Sequence, residues 1–208
     1  MRHITTKQHA EWWKNRKIDW KQAYLDTWDH PHRAIIIYVL KSFPWLSLFE
    51  IGCGPGANLV RITKEIPGKQ IGGIDINPEA IELAQKTFTG SLLKVGSADN
   101  ILLSDDSVDV VLSDMTLLYV APWDIGRYVE EMNRIGRKKI VLCEFHSDNW
   151  VRRVISHIKG RHAYNWIKLL GKHGFRDIVV IPLKEEHWSG SSKENPKRHI
   201  IVATITKL

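Results

Sequence analysis

Leu48-Phe49-Glu50-Ile51-Gly52-Cys53-Gly54-Pro55-Gly56 is an apolar run that stops at three glycines set one residue apart. Its first part, read with the residues before it as Leu46–Ile51, has the unbroken apolar character of a strand buried on both faces. Its second part cannot continue that strand. Glycines there let the backbone turn sharply and let a ligand lie against the main chain, where no Cβ intervenes. A helical pattern follows over Ala57–Lys64, so the unit reads strand, tight turn, helix.

The same rhythm extends to either side. Gln70–Ile76 reads as a strand ending at Asp75, and Asn77-Pro78 supplies an N-cap and a first-turn proline for a helix over Pro78–Phe88. Strands are predicted at Leu92–Val95, Val108–Ser113 and Lys139–Phe145, with a helix at Pro122–Ile135 and another near Ala163–His173. Strand–helix alternation with β-branched strands means an α/β sandwich: a mostly parallel sheet covered by helices on both faces. The last two strands, Phe175–Leu183 and His199–Ile205, have no helix between them. Their polar connection, Lys184–Lys197, contains Gly190 and Pro196, which predicts an antiparallel hairpin closing a seven-stranded sheet. Upstream, the first 45 residues read as helices; Pro31, with Asp29 before it, opens the apolar run Ala34–Leu40, and Pro44 closes it. The division expected is an N-terminal helical cap, 1–45, on a single globular unit, 46–208.

The chain has 208 residues, 43% hydrophobic and 25% charged, which excludes disorder and low-complexity classes. Ala34–Leu40 is far too short to span a membrane, and the first six residues hold no apolar stretch for a signal peptide. Cys53 and Cys143 have neither metal-ligand spacing nor a disulfide framework, so a cytoplasmic protein with free thiols and no metal is expected. The net charge of +7 is uneven: +4 over residues 1–48, −7 over 49–133 and +10 over 134–208. A basic end faces an acidic substrate, nucleic acid or water. Of nine tryptophans, Trp12, Trp13, Trp20 and Trp28 crowd into the first 30 residues.

In an open α/β sheet the ligand lies beyond the carboxyl ends of the strands. The residues there are Gly52–Gly56 after the first strand, Asp75 at the end of the second, Gly96-Ser97-Ala98-Asp99-Asn100 after the third, Ser113-Asp114-Met115 after the fourth and Glu144-Phe145-His146 after the fifth. Asp75 lies 23 residues after Gly52, where a carboxylate can accept both hydroxyls of a ribose. Gly52–Ala57 also satisfies the dinucleotide fingerprint, and Tyr164 and Lys168 stand at a reductase-like spacing, but the composition produces such a pair unaided.

The ordered set resembles the class I S-adenosylmethionine-dependent methyltransferases. Leu48–Gly56 resembles their first motif, Gly73–Ile81 their second and Ala98-Asp99 their third, and Leu102–Ser113 resembles the run into their fourth strand. The resemblance implies a Rossmann-like three-layer sandwich, S-adenosylmethionine as cofactor and S-adenosylhomocysteine as product. It implies that Gly52, Cys53, Gly54 and Gly56 wrap the methionine part, with Glu50 at its amino end and Asn58 beside it. Asp75 would hold the ribose and Ile76 pack on the adenine. Asp99 would accept from the adenine amino group, with Asn100 next to it, and Asp114 and Met115 would line the path to the acceptor.

A base is needed only where the acceptor is protonated. His146 is the candidate, because it follows the fifth strand at the ligand edge and titrates near neutrality; His162, Tyr119 and Glu144 are weaker ones. Ser113-Asp114-Met115-Thr116 is unlike the motif that marks methylation of nucleobase or glutamine amino groups in relatives. That leaves small-molecule, RNA and protein targets open; the basic insertion, with Arg152, Arg153 and Arg161, favours a small anionic acceptor bound by these and Tyr119, with RNA or protein as the alternative. An inactive methyltransferase fold that binds nucleic acid is the non-enzyme alternative. Residues 1–45 and the basic insertion 148–162 are expected to close over the site and exclude water.

Overall fold

A computed structural model describes residues 5–188 and 198–207. Its centre is a seven-stranded sheet in the order β3-β2-β1-β4-β5-β7-β6. The strands are β1 Ser47–Ile51, β2 Gln70–Asp75, β3 Leu92–Val95, β4 Val108–Asp114, β5 Gly136–Phe145, β6 Phe175–Pro182 and β7 Arg198–Ile205. β1 is parallel to β2 and β4, whereas β7 is antiparallel to both β5 and β6. The predicted terminal hairpin is present, with Gly190 and Pro196 of its connection lying outside the described residues.

Helices cover both faces. On one, α3 (Pro31–Lys41), α4 (Ala57–Glu65) and α5 (Pro78–Thr87) pack Ile36, Leu40, Leu59, Ile62 and Ile81 onto Leu48, Val110 and Leu112. On the other, α6 (Ile125–Ile135) and α8 (Trp166–Lys172) pack Val129, Met132, Trp166 and Leu170 onto Phe49, Val111 and Ile140. Alternate residues of β1 and β4 thus enter opposite cores, as a period-2 strand buried on both sides requires.

Pro31 occupies the first turn of α3 as expected, with His30 as the N-cap. α6 begins at Ile125 instead of Pro122, and β5 extends back to Gly136, so helix passes directly into strand. α8 begins at Trp166, because Tyr164 is used in a bridge to His146. The largest departure is in the basic insertion, where Trp150–Ile158 forms a helix, α7, capped by Asn149, whose side chain accepts from Val151 N and Arg152 N. Its charged composition hid a regular apolar arc.

The N-terminal segment forms α1 (Thr6–Lys14) and α2 (Trp20–Ala23). Thr5 and Gln8 make a reciprocal capping box that starts α1. α1 is tied down at both ends. Thr6 Oγ1 donates to Asp124 Oδ2 (2.6 Å) and accepts from Ala121 N (2.8 Å). At the far end, Asn77 Nδ2 donates to the carbonyls of Trp13 (2.8 Å) and Arg16 (3.0 Å). The helix is a strap across the carboxyl edge of the sheet.

Candidate active site

Between that strap and the strand ends lies a cavity of about 320 Å³. Gly52 and Gly54, at φ +68° and +52°, turn the chain after β1 in a conformation that side-chain-bearing residues avoid. A Cβ on Gly52 would strike the Thr116 side chain, whereas one on Gly54 would meet open space. Asp75 closes the turn from β2: its Oδ2 accepts from Gly54 N (2.9 Å) and its Oδ1 from Asn77 N (2.8 Å). Burial nevertheless raises its pKa from the ordinary aspartate value.

Beneath the turn is a buried polar chain. Arg33 Nε donates to Asn58 Oδ1 (2.9 Å); Asn58 Nδ2 donates to Glu50 Oε1 (2.6 Å) and Asp114 Oδ2 (3.0 Å), and His32 Nε2 shares the latter oxygen at 2.8 Å. Burial alone would raise both carboxyls. Asp114 is instead held far below the normal range by His32 and Arg33, while Glu50, whose only direct partner is an amide, is pushed up to about 8. Glu50 Oε2 and Asp114 Oδ1 remain buried without a hydrogen-bond partner.

Glu144 performs a different task. Its Oε1 accepts from Ser113 Oγ (3.0 Å), Thr116 N (2.9 Å) and Leu117 N (2.8 Å), and its Oε2 accepts from Leu118 N (3.1 Å). Desolvation raises its pKa to about 7 in spite of those donors. This carboxylate fixes the loop that carries Met115, held at φ +55°, and Tyr119.

Of the residues singled out in the sequence, Glu50, Gly52, Cys53, Gly54, Asn58, Asp75, Ile76, Asp114, Met115 and Tyr119 line the cavity together. Gly56, Asp99 and Asn100 are not among its lining residues. Gly56 begins α4 at φ +92° against the Phe88 ring, and Asp99 accepts from Ser97 Oγ (2.5 Å) while Ser97 and Ala98 form the wall. His146 is also away from the cavity, bridging to Tyr164 and accepting from Trp166 N (3.3 Å). Arg152, Arg153 and Arg161 do not line it, and Arg153 spends its guanidinium on the carbonyls of Ser147 (3.1 Å) and Asp148 (2.7 Å).

The N-terminal strap supplies His9, Trp13, Trp20 and Tyr24 to the lining, of which His9 and Tyr24 were not singled out in the sequence. His9 Nε2, Trp13 Nε1 and Trp20 Nε1 are buried without hydrogen-bond partners. Burial lowers the His9 pKa, with the positive charge of Arg161 acting in the same direction, so its ring is neutral near pH 7. His162, packed beside His157, is pushed down to about 4 by burial. The Thr5–Gln8 capping box was the available signal for a helix placing His9 and Trp13 on one face. Among the described residues His32, Asp114 and Cys143 offer ligand atoms within 4.8 Å of one another, but His32 and Asp114 already bond each other.

Residues 48–139 match a family described as a methyltransferase domain. Over that segment the chain is similar to S-adenosylmethionine-dependent methyltransferases. It is 28% identical over 138 residues to an uncharacterized methyltransferase-like protein of Schizosaccharomyces pombe, covering 62% of this chain and 53% of that one. The chain thus spans about half the length of that relative. A SAM-dependent methyltransferase of Thermotoga maritima shares the fold with a TM-score of 0.65 at 18% identity, over 89% of this chain and 94% of that one. Geranyl diphosphate C-methyltransferase of Streptomyces coelicolor A3(2) superposes with a TM-score of 0.70 at 11% identity, over 97% and 98% of the two chains.

S-adenosylmethionine is the cofactor of this methyltransferase family, and the cavity fits it. The two unpartnered oxygens, on Glu50 and Asp114, match a buried ammonium group. The open space over Gly54 admits a chain lying against the backbone, and Asp75, to which the resemblance assigns the ribose, lines the same cavity. Ser97, Ala98 and Tyr128 line the remaining wall, on the side of Ile76.

Proposed function

We propose that the protein transfers the methyl group of S-adenosylmethionine to a small acceptor with an apolar body and an anionic group. The observation that carries this is the pair of facing walls. One holds carboxylate oxygens without donors, and the other holds His9 Nε2 and two indole N–H groups without partners. Buried polar atoms are almost always satisfied, so both walls call for ligand groups.

The cofactor supplies an activated methyl on a sulfonium, leaving the protein to align and desolvate the acceptor. Glu50, Asp114 and Asp75 hold the donor. Trp13, Trp20, Tyr24 and Tyr119 enclose the reacting centre and exclude water. His9 is the cavity's neutral imidazole and takes the acceptor's proton at Nε2 as the acceptor lone pair displaces sulfur. His146 lies behind Tyr164, where its ring orients the start of α8 through Trp166 N. An anionic acceptor group is favoured by Arg33 on the wall and by Arg161, whose charge acts on both His9 and Tyr119. Arg152 and Arg153 contribute only through the surrounding field. The thiols of Cys53 and Cys143 are buried and free, which suits a cytoplasmic protein.

Calorimetric titration with S-adenosylhomocysteine tests the reading. Binding that is absent for NADH supports it, and heat with NADH alone overturns it. An assay with small carboxylates and phosphates against bulk RNA then separates the acceptor classes, since turnover confined to RNA rejects the small anion.

A further inference from the structure

α7 is inside out. In a nine-residue helix at 100° per residue, Trp150, Val151, Val154, Ile155 and Ile158 share one arc. A surface helix normally turns that arc inward. Here those five side chains are 68%, 43%, 48%, 46% and 48% exposed. The polar arc faces the protein instead: Arg153 is held by the carbonyls of residues 147 and 148, Ser156 Oγ accepts from Ala163 N (2.9 Å), and His157 Nδ1 meets His162 Nδ1 at 3.1 Å. These contacts fix the helix's rotation, so the outward apolar face is built in. Trp123, 60% exposed, continues the patch through its edge-on contact with His157.

We infer that α7 and Trp123 dock the protein on the surface of an anionic lipid bilayer. Charge selects the occupant. From Asn149 to Arg176 the chain has seven Lys and Arg and no Asp or Glu, and Arg152, Lys159 and Arg161 are exposed around the apolar arc. A short helix with an apolar face, an interfacial tryptophan and flanking cations inserts at the headgroup boundary and is drawn there by negative lipid. A second copy would bring the same cations face to face around a two-fold axis, which like-charge repulsion opposes. No described helix is long and apolar enough to cross a membrane, so the attachment is peripheral. The docking does not depend on the reaction proposed above.

Flotation of the full chain with vesicles tests it without any methyl donor. Binding is expected to vesicles of equimolar phosphatidylglycerol and phosphatidylcholine, to fall with added salt, and to be absent with phosphatidylcholine alone. Ile155→Asp and Val154→Asp should each weaken it by about tenfold or more, and Arg152→Gln with Lys159→Gln should weaken it without touching the apolar arc. Tyr38→Asp, at an exposed position on α3, should leave it unchanged. Melting temperature and S-adenosylhomocysteine binding confirm that each variant is folded. No flotation, or flotation indifferent to Ile155→Asp in a folded protein, overturns the inference. So does dimerisation in vesicle-free buffer that Ile155→Asp abolishes, which assigns the face to a second copy.

Discussion

At the scale of single residues, the site is defined by carboxylates with different partners. Asp75 accepts two backbone N–H groups, and its replacement by alanine leaves both unpaired and removes the acceptor proposed for the ribose. Asp75→Ala should weaken S-adenosylhomocysteine binding by about 1–3 kcal/mol, read by calorimetry. Glu50 is raised to about 8 because burial outweighs the single amide that bonds it. Glu50→Gln keeps the shape and the contact with Asn58 but removes the charge that a bound ammonium would elicit, so donor affinity should fall by about tenfold or more at pH 8. Unchanged affinity would place the amino group elsewhere. The residues legible in the sequence are those whose backbone position fixes their role. Gly52, Gly54, Asp75 and Asp114 sit at strand ends, so strand recognition located them. His146 was singled out on the same rule, yet its ring turns to the Tyr164 side, because side-chain direction at a strand's last residue is set by its neighbours.

At the scale of elements, α1 carries what spacing could not reveal. The sequence showed a Trp-rich helical start but gave no sign that Asn77, read as the cap of α5, also holds the end of α1 with its amide nitrogen. Such a contact joins residues 64 apart and leaves no local pattern. The strap's other tether can be cut singly. Thr6→Val removes one donor to Asp124 and one acceptor for Ala121 N, which should cost about 1–2 kcal/mol of local stability. Faster amide exchange over Thr6–Lys14, with β1 and β4 unaffected, is the expected signature. A fall in turnover exceeding any loss of donor affinity would follow if α1 encloses the acceptor. α7 was missed for another reason: four polar residues among nine concealed an apolar arc that only a helical wheel exposes.

Across the whole molecule, three buried carboxyls are raised: Glu50 to about 8, Glu144 to about 7, and Asp75. In the folded chain they bind protons that the unfolded chain has already released. The stability these three contribute is therefore full below the unfolded carboxyl values, near pH 4–4.5, and is lost as pH rises towards 8. Asp114, being lowered, works in the opposite sense, but only as pH falls below its unfolded value near 4. Histidines lowered by burial, His9, His30, His146 and His162, oppose this below their unfolded value near 6.5, so the clean window lies above it: without donor, the protein should melt at a higher temperature at pH 7 than at pH 8.5. Glu50→Gln should reduce that difference, and S-adenosylhomocysteine should restore stability most at the alkaline end. A flat profile would show that these groups titrate normally. The mostly parallel sheet was legible from strand–helix alternation, and the hairpin followed from the missing helix, but the order β3-β2-β1-β4-β5 was not. What alternation does not show is that β7 lies between β5 and β6. A strand made after β6 must slot in on its inner side, so β6 has no partner in the sheet while the ribosome is still making residues 183–197. During synthesis the half of the sheet from β3 to β5 can assemble early. β6 and the helix leaning on it must wait for β7, leaving the edge of β5 open to pairing with another nascent chain for that interval.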